Sequence, residues 1–368
     1  QAFLTMRHVA PFRERAQELL TSLSETGETL ERWLKVQMMW CSLESVFTGG
    51  DIAKQMPVEA KKFGKVDKEW AKCMANATNT QLVVEASAND VLRQSLPVMY
   101  VELEKCQKSL EGYLEQKRNK FPRFYFVSNP GLLIILSQGS DPLSMNDHYE
   151  KVFDAITYVE HNKKDKTIIE KMHGDGGQGH EIIPFSTPVR AVGNIEDWLV
   201  ELLKKMQLTM KDLTRNAASE LTVVASDVGQ LRNFVDNNIS QFALLGIQIL
   251  WTLDMQAALD QIRSNKKAMP MCTARQIEIL SEMSRWCLQD LGTKINRRKI
   301  ETLVTIHVHA RDVTMELNAL AKAKKLTDAN DFDWLKQARF TWRPSQADTI
   351  SNDGACVISI TDVDFNYE

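Results

Sequence analysis

Several patterns that would identify a catalyst are missing from this sequence. It contains no G-x-x-x-x-G-K-[ST] phosphate loop, no G-x-S-x-G nucleophile motif and no two cysteines spaced C-x-x-C. These patterns are typical of nucleotide-hydrolysing enzymes, of serine hydrolases, and of zinc or redox sites. We therefore expect that the chain is not itself an enzyme and holds neither a cofactor nor a metal.

The sequence also lacks an excess of charge of one sign. Its 45 Lys and Arg nearly balance 48 Asp and Glu, so the net charge is −3 over 368 residues. General attraction to nucleic acid or to an anionic membrane requires a clear positive excess, so neither partner is expected. No apolar run approaches the roughly 20 residues of a membrane span, and no leader-peptide pattern is present.

Cysteine is sparse and scattered. Several of the six lie at apolar positions of predicted helices, which indicates buried thiols in a reducing, cytosolic compartment rather than a disulfide framework. They are Cys41, Cys73, Cys106, Cys272, Cys287 and Cys356. Because the chain begins without methionine and ends at DFNYE, we also expect it to be a piece of a longer protein.

Most of the chain shows the apolar spacing of helices, as at Trp33, Val36 and Trp40. Glycine and proline in residues 48–57 end that first segment. The sequence therefore predicts a mainly α fold. The longer predicted helices cover residues 12–47, 58–76 and 92–117, a stretch that begins at Asn194, and residues 213–236, 238–264 and 273–325, with a short helix at 332–335.

Residues 121–193 have a different texture. FYFV at 124–127 alternates like a strand, Asn-Pro opens a short helix over 129–138, and a further helix is predicted over 148–159. TIIEKM and EIIPF then flank the glycine-rich HGDGGQGH, which predicts a hairpin. We therefore predict a small mixed α/β unit here, and two short strands, ARFTW and ACVISI, near the end of the chain.

Two motifs could be mistaken for sites. The glycine-rich run from Gly174 to Gly179 lacks a lysine and lies between strands, whereas phosphate cradles open onto a helix; it predicts a mobile hairpin tip. His307 and His309 are two residues apart, which on a helix places them on different faces, whereas metal pairs are four apart. We expect one imidazole in the core and one at the surface.

Two basic clusters leave alternatives open. Lys117, Arg118, Lys120 and Arg123 follow a predicted helix end, where cations complement the macrodipole, although docking to an acidic partner is the alternative. The cluster at 297–299 begins a helix, where the dipole does not favour cations, so a partner is more plausible there.

A resemblance rests on several motifs in one order. ERWLKVQMMWCSLESVFTGGDIAKQMPVEAKKFGKVDKEW at 31–70 and YLEQKRNKFPRFYFVSNPGLLIILS at 113–137 resemble consecutive hallmarks of dynein heavy chains. Several later stretches are similar to further motifs of that family, in the same order and spacing. They are IEDWL followed by Met210, then QILWT, RRKIE with HVHARDVT, DFDWLKQARFTW and the final DFNYE. TGGDIAKQ and LEKCQKSLEGYLE look closest to axonemal outer-arm chains of the gamma type.

The resemblance implies that the chain is the linker immediately before the first AAA+ module. In the family this linker is an elongated stack of helical bundles that bends and straightens across the AAA+ ring as ATP turns over, which drives ciliary and flagellar beating. It implies the ring of the same heavy chain as partner, microtubules only through the parent stalk, light or intermediate chains on the tail side, and the axoneme as location. ATP and Mg would belong to the parent motor, not to this chain.

The resemblance also implies four parts and a set of residues with structural or mechanical roles. The parts are a helical subdomain (1–120), the mixed unit (121–193), a helical bundle (194–330) and a lead-in to the first AAA+ module (331–368). Phe124 and Phe126 would anchor the predicted strand, leaving Arg123 and the lysines at the surface. The residues are Trp33, Gln37, Trp40, Phe121, Pro122, Arg123, Phe124, Phe126, Trp198, Trp251 and Trp334.

Two further points stay open in the sequence. The hinge of the lever falls in residues 48–57 or 137–147, since a hinge needs few buried contacts. HGDGGQGHE stands where the family often has a compact Ser-x-Glu-Gly-Glu turn, so a ring contact made there by relatives is in doubt. The alternative to a lever is a static helical scaffold within a large cytoskeletal protein.

Overall fold

The structure is a computed structural model that describes residues 2–48, 51–139, 141–175, 180–224, 227–343 and 354–367. Helix makes up 71% of it, and two small antiparallel sheets supply the strands. The predicted mainly α fold class is therefore confirmed. The elongated arrangement implied by the resemblance stays a prediction.

The helices and strands of the described residues are as follows. The α-helices are α1 (Arg13–Phe47), α2 (Asp51–Gln55), α3 (Pro57–Thr80), α4 (Val83–Ser87), α5 (Asp90–Lys120), α6 (Asn129–Ser137), α7 (Tyr149–Val152), α8 (Ile195–Val224), α9 (Leu231–Asn237), α10 (Ser240–Asp260), α11 (Ala268–Cys287), α12 (Lys294–Lys322) and α13 (Phe332–Leu335). The strands are β1 (Ile156–His161), β2 (Ile168–Asp175), β3 (His180–Arg190), β4 (Arg339–Arg343), β5 (Ala355–Ile360) and β6 (Val363–Asn366).

The chain divides into two compact units, and the first comprises residues 1–154 and 191–200. Helices α1, α3 and α5 pack against one another in it. Each buries one apolar stripe at helical spacing, as amphipathic helices of globular proteins do. The buried stripes include Val36, Leu43, Phe47, Phe63, Val66, Trp70, Leu96, Met99, Leu103, Cys106 and Leu110.

The second unit comprises residues 155–190 and 201–368. Its two sheets have the strand orders β1-β2-β3 and β4-β5-β6, with every neighbouring pair antiparallel. Helices α10, α11 and α12 pack against one another, and β4 packs against α10. The four-part division implied by the resemblance is finer than these two units and stays a prediction.

Helix α10 lies in the core of the second unit. Among the described residues, it is the helix that has the length and apolar composition to cross a membrane, although the sequence analysis found no such run. Within the protein, 67% of its most apolar window is buried. Gly246 in its interior is required by a close approach, since a Cβ there would lie 2.4 Å from Phe234 Cζ. Burial against neighbouring helices therefore accounts for its apolar composition.

Two local predictions in the mixed segment are wrong. Pro122–Phe126 forms a 3₁₀ helix instead of a strand, because Pro122 fixes a helical φ and Phe124 N donates to Phe121 O at 3.0 Å. The helix predicted over 148–159 is also wrong, since α7 ends at Val152 and β1 begins at Ile156. The β-branched and aromatic residues of ITYV favour the strand.

Helix boundaries differ from prediction at three places. Ser128, not Asn129, caps α6, and its side chain accepts from Gly131 N at 3.4 Å. The helix predicted over 213–236 is wrong, because α8 runs through residue 213 and ends at Val224, and α9 begins at Leu231. The segment predicted as one helix over 273–325 is two, α11 and α12, separated by a turn in which Gly292 adopts a φ of +66°.

The strand predictions at both sheets are largely confirmed. TIIEKM and EIIPF lie in β2 and β3, which pair antiparallel as a hairpin, and the predicted glycine-rich tip at 176–179 lies outside the described residues. ARFTW and ACVISI supply β4 and β5. Strand β6 was not predicted.

Candidate functional site

Two helix ends with opposite charges meet in the first unit. Helix α5 ends with Lys117 and Lys120 in its last turn, and α8 begins with Glu196 and Asp197 in its first. Each charge complements the macrodipole of its own helix. Lys117 Nζ lies 2.6 Å from Glu196 Oε1, and Lys120 Nζ lies 3.1 Å from Asp197 Oδ1. We call these four residues the joint.

The central pair of the joint is buried, since Lys117 is 8% exposed and Glu196 is 1% exposed. Water solvates neither charge, so each depends on the other. Within the described residues Glu196 Oε2 has no hydrogen-bond partner. Glu196 Oε1 accepts from Lys117 Nζ and also lies 3.6 Å from Lys120 Nζ. Lys117 Nζ also lies 5.1 Å from the Tyr113 ring centre, and burial, with the Glu196 charge, raises the pKa of Tyr113.

Two arginines hold the connection that follows α5. The Arg118 guanidinium donates to Val127 O at 2.9 Å and to Phe124 O at 3.4 Å. Arg123 donates to Val152 O at 3.4 Å, and its guanidinium lies 5.0 Å from the Phe153 ring centre. The acceptors lie in or beside the 3₁₀ helix Pro122–Phe126 and at the end of α7, so both side chains stiffen the segment that leaves α5.

An aromatic cluster lies beside these arginines. Phe121 and Phe124 pack edge to face with ring centres 5.0 Å apart, and Phe153 lies 6.4 Å from Phe121 and 6.2 Å from Tyr149. Phe121, Phe124 and Tyr149 are almost fully buried, and burial raises the pKa of Tyr149. Trp198, in the first turns of α8, is buried as well.

The first basic cluster therefore makes its contacts within the unit, although only Lys117 is buried. The expectation that the lysines and Arg123 lie at the surface is wrong for Lys117, which is buried, and for Arg123, which is half-buried; Lys120 is exposed. Lys117, Lys120, Arg118 and Arg123 all have partners within the chain. The acidic group that Lys117 contacts is Glu196 of the same chain, and docking of the cluster to an acidic partner stays a prediction.

Phe126 does not do what was expected of it. It is 77% exposed and lies in the 3₁₀ helix, so it anchors no strand, and Pro122 at the start of that helix is also exposed. Phe124 alone of the predicted anchoring pair is buried. The reason is the three-residue period of the 3₁₀ helix, which buries Phe121 and Phe124 together and turns Phe126 outward.

The predicted tryptophans of the second unit lie together. Trp251 and Trp334 pack edge to face with ring centres 5.5 Å apart. Trp251 Nε1 donates to Thr314 Oγ1 at 2.9 Å, and Trp334 Nε1 donates to Gln256 Oε1 at 3.2 Å. Both indoles are buried with their N–H groups satisfied, so this cluster ties α13 to the core of α10 and α12.

The predicted residues on α1 are less buried. Trp40 is half-buried, donates to Asp67 Oδ1 at 3.0 Å and lies 6.1 Å from the Trp70 ring centre. Trp33 is half-buried and Gln37 is exposed; both line an apolar groove of about 380 Å³ on the first unit. The mechanical role of all eleven predicted residues stays a prediction.

The second basic cluster contains a buried lysine that the sequence analysis did not single out. Lys299 donates from Nζ to Val235 O at 3.0 Å and to Asn238 O at 2.8 Å, at the connection between α9 and α10. Burial lowers the pKa of Lys299, and the Glu181 charge opposes that shift. Glu181 in turn accepts from Ser240 N at 2.9 Å and Ser240 Oγ at 2.7 Å at the start of α10.

The histidines on α12 lie as predicted, whereas two of the cysteines do not. His307 is buried beside Gln276 O and His309 is exposed, as predicted. Burial lowers the pKa of His307 to about 4. Cys41 is exposed and Cys287 half-buried, so the expectation of buried thiols is wrong for these two. In the part of the chain that the structure describes, no three metal-binding side chains are grouped to hold an ion.

The pairing of Lys117 with Glu196 was missed, although one signal pointed to it. The apolar stripe of α5 continues through Leu110 and Leu114 to position 117, so a lysine there faces the core. On α12, Lys299 lies four residues before the buried Leu303, so this lysine also faces the core. The pattern could identify a buried lysine, but not the residue 79 positions away that neutralises it.

Comparison with known proteins gives consistent matches. The family described as dynein heavy chain, N-terminal region 2, matches residues 1–217. The chain is 40% identical over 369 residues to dynein axonemal heavy chain 8 of Mus musculus, covering 100% of this chain and 7% of that one. It is 39% identical over 365 residues to the flagellar outer-arm dynein gamma chain of Chlamydomonas reinhardtii, and the match covers 99% of this chain and 8% of that one. It is 39% identical over 368 residues to dynein axonemal heavy chain 5 of Rattus norvegicus, and the match covers 100% of this chain and 10% of that one.

Proposed function

The chain belongs to the dynein heavy chains, and from that membership we propose that it is the mechanical linker of an axonemal motor, bending and straightening across the AAA+ ring. The resemblance to axonemal heavy chains is confirmed, and the location is the cytoskeleton of a ciliary or flagellar axoneme. The chain spans 7–10% of the length of the three relatives described above, so activity and partners of the whole motor are part of the proposal.

The observation that carries the proposal is the joint. A lever transmits force only where its helices are rigidly connected, and the buried Lys117–Glu196 pair connects the end of α5 to the start of α8. Arg118 and the aromatic cluster brace the connection that leaves α5. Because such a pair is costly to break, α5 and the first turns of α8 would move as one body.

The chemistry belongs to the parent. We propose that ATP and Mg are bound by the AAA+ ring, that microtubules are reached only through the stalk, and that this chain supplies no catalytic group. Near-complete switching between two docked states requires a difference in contact free energy of about 5 kcal/mol. The hinge remains proposed in residues 48–57 or 137–147, which include α2 and the end of α6.

The test uses the parent motor carrying Lys117→Met, which breaks the joint. A lever with a loosened joint should move microtubules more slowly in a gliding assay while the ATPase rate without microtubules stays at the wild-type value. The double variant Lys117→Met with Glu196→Leu leaves no unpaired buried charge and should recover velocity. Unchanged gliding in the single variant would favour a static scaffold.

A further inference from the structure

Helix α3 carries a row of four lysines on one face. Lys61, Lys65, Lys68 and Lys72 are separated by four, three and four residues, which aligns them along one side of a helix. All four are exposed. At 1.5 Å per residue the row is about 16 Å long. We call these residues the lysine row.

The lysine row differs from the lysines of α5. On α5, Lys105 lies 2.7 Å from Glu102 and Lys108 lies 3.3 Å from Glu104. Over the residues that the structure describes, no lysine of the row lies within 4 Å of a carboxylate. The hydrogen bond from Lys105 is the main cause that lowers the pKa of Glu102, and the charges of Lys62 and Lys65 lower it further.

The acidic residues of α3 itself neutralise the row only in part. Asp67 accepts from Trp40 Nε1 on the side of α3 that faces α1. Glu69 lies four residues after Lys65 and three residues before Lys72, so it flanks the row, although over the described residues it forms no ion pair within 4 Å. Like charges three and four residues apart destabilise a helix, so the row is an unfavourable arrangement that Glu69 and Glu102 offset only in part.

We infer that the lysine row is a docking surface for an acidic polypeptide segment rich in Asp and Glu. Lysine ammonium groups are hydrated point charges that match carboxylates spread along a flexible chain. A nucleic-acid surface would interleave aromatic residues for base stacking, and α3 has no aromatic residue in line with the row. A membrane-binding helix would place large apolar residues beside the lysines, whereas Phe63, Val66 and Trp70 of α3 are buried.

The test measures binding of a fluorescein-labelled peptide of twelve glutamates to the 368-residue chain by anisotropy. Binding should weaken steeply between about 50 and about 200 mM salt, as expected for exposed charges. Replacing the row by glutamine (K61Q, K65Q, K68Q, K72Q) should weaken binding at least tenfold. The variant should also unfold at a higher temperature than wild type, because it removes the repulsion within α3.

A matched control removes the same number of charges elsewhere. The variant K54Q, K105Q, K108Q, K336Q loses four lysines that are each paired with a carboxylate three or four residues away. It should bind the peptide as wild type does. Equal weakening in both variants, or no peptide binding by wild type at low salt, would overturn the inference. Tighter binding of an oligonucleotide or an anionic vesicle, lost in the row variant, would overturn the assignment to an acidic polypeptide. None of these outcomes depends on the lever.

Discussion

Helix α5 carries two lysine–glutamate contacts of nearly equal length in very different surroundings. Lys105 Nζ lies 2.7 Å from Glu102 in the middle of the helix, and Lys117 Nζ lies 2.6 Å from Glu196 at its end. The first pair is exposed and the second is buried. Distance alone therefore says little about stability, because exclusion of water decides what the loss of one partner costs.

The largest effect should come from breaking the buried pair. Lys117→Met leaves Glu196 as an uncompensated buried charge and should lower the free energy of unfolding by about 3–5 kcal/mol. Glu196→Leu should cost a similar amount by stranding Lys117. The double variant should recover most of the loss, since it replaces the pair by apolar groups. Urea denaturation of all four proteins completes the double-mutant cycle, and purely additive losses would show that the two side chains do not depend on each other.

A buried group that stays neutral should respond to acid instead. The folded state holds the pKa of His307 at about 4, below the unperturbed value of about 6.5, so the unfolded state binds more protons between these values. Stability from this group is complete above pH 6.5 and is lost as pH falls towards 4, by roughly 3 kcal/mol in total.

The matched pair for this measurement is His307→Gln and His309→Gln. Denaturation between pH 4 and 6.5 should show a flatter pH dependence in His307→Gln, which cannot acquire a charge. His309→Gln changes an exposed residue on the same helix and should retain the wild-type dependence. If both variants behaved alike, the acid sensitivity would originate elsewhere.

A third prediction concerns a buried lysine without a carboxylate in contact. Lys299→Met removes the donor to Val235 O and Asn238 O and should cost about 2 kcal/mol, because two carbonyls lose a charged hydrogen-bond donor. Hydrogen exchange should rise in α9 and the first turn of α10. Arg297→Met, two residues earlier and exposed, serves as the control. Unchanged exchange at α9 in Lys299→Met would mean that packing alone holds this connection.

Much of the fold could be predicted from periodicity. Helix α1 was expected over 12–47 and spans Arg13–Phe47, and the helical spacing of apolar residues from Trp33 to Phe47 carried that prediction. One failure is the short segment Pro122–Phe126, where alternation over four residues fits both a strand and a 3₁₀ turn. For this segment, proline and the tertiary contacts of Phe121 and Phe124 decide the outcome.

The joint could be predicted only in part. The lysines at the end of α5 were predicted to complement the helix macrodipole, and a helix was predicted to begin at Asn194, next to the observed start of α8. That the two helix ends meet is a tertiary fact, and no local pattern relates position 117 to position 196. Local rules therefore give the charge of each helix end, whereas the partner comes only from the folded chain.

The smallest effect should come from the exposed pair. Lys105→Met removes the hydrogen bond that lowers the pKa of Glu102, but water then solvates the free carboxylate. In the urea series used for Lys117→Met, the unfolding curve of Lys105→Met should overlay that of wild type. Raising the salt concentration should leave the difference in free energy of unfolding between Lys105→Met and Lys117→Met unchanged, because a buried pair is screened much less than an exposed one. A loss for Lys105→Met as large as that for Lys117→Met would mean that contact distance, not burial, sets the strength of these pairs.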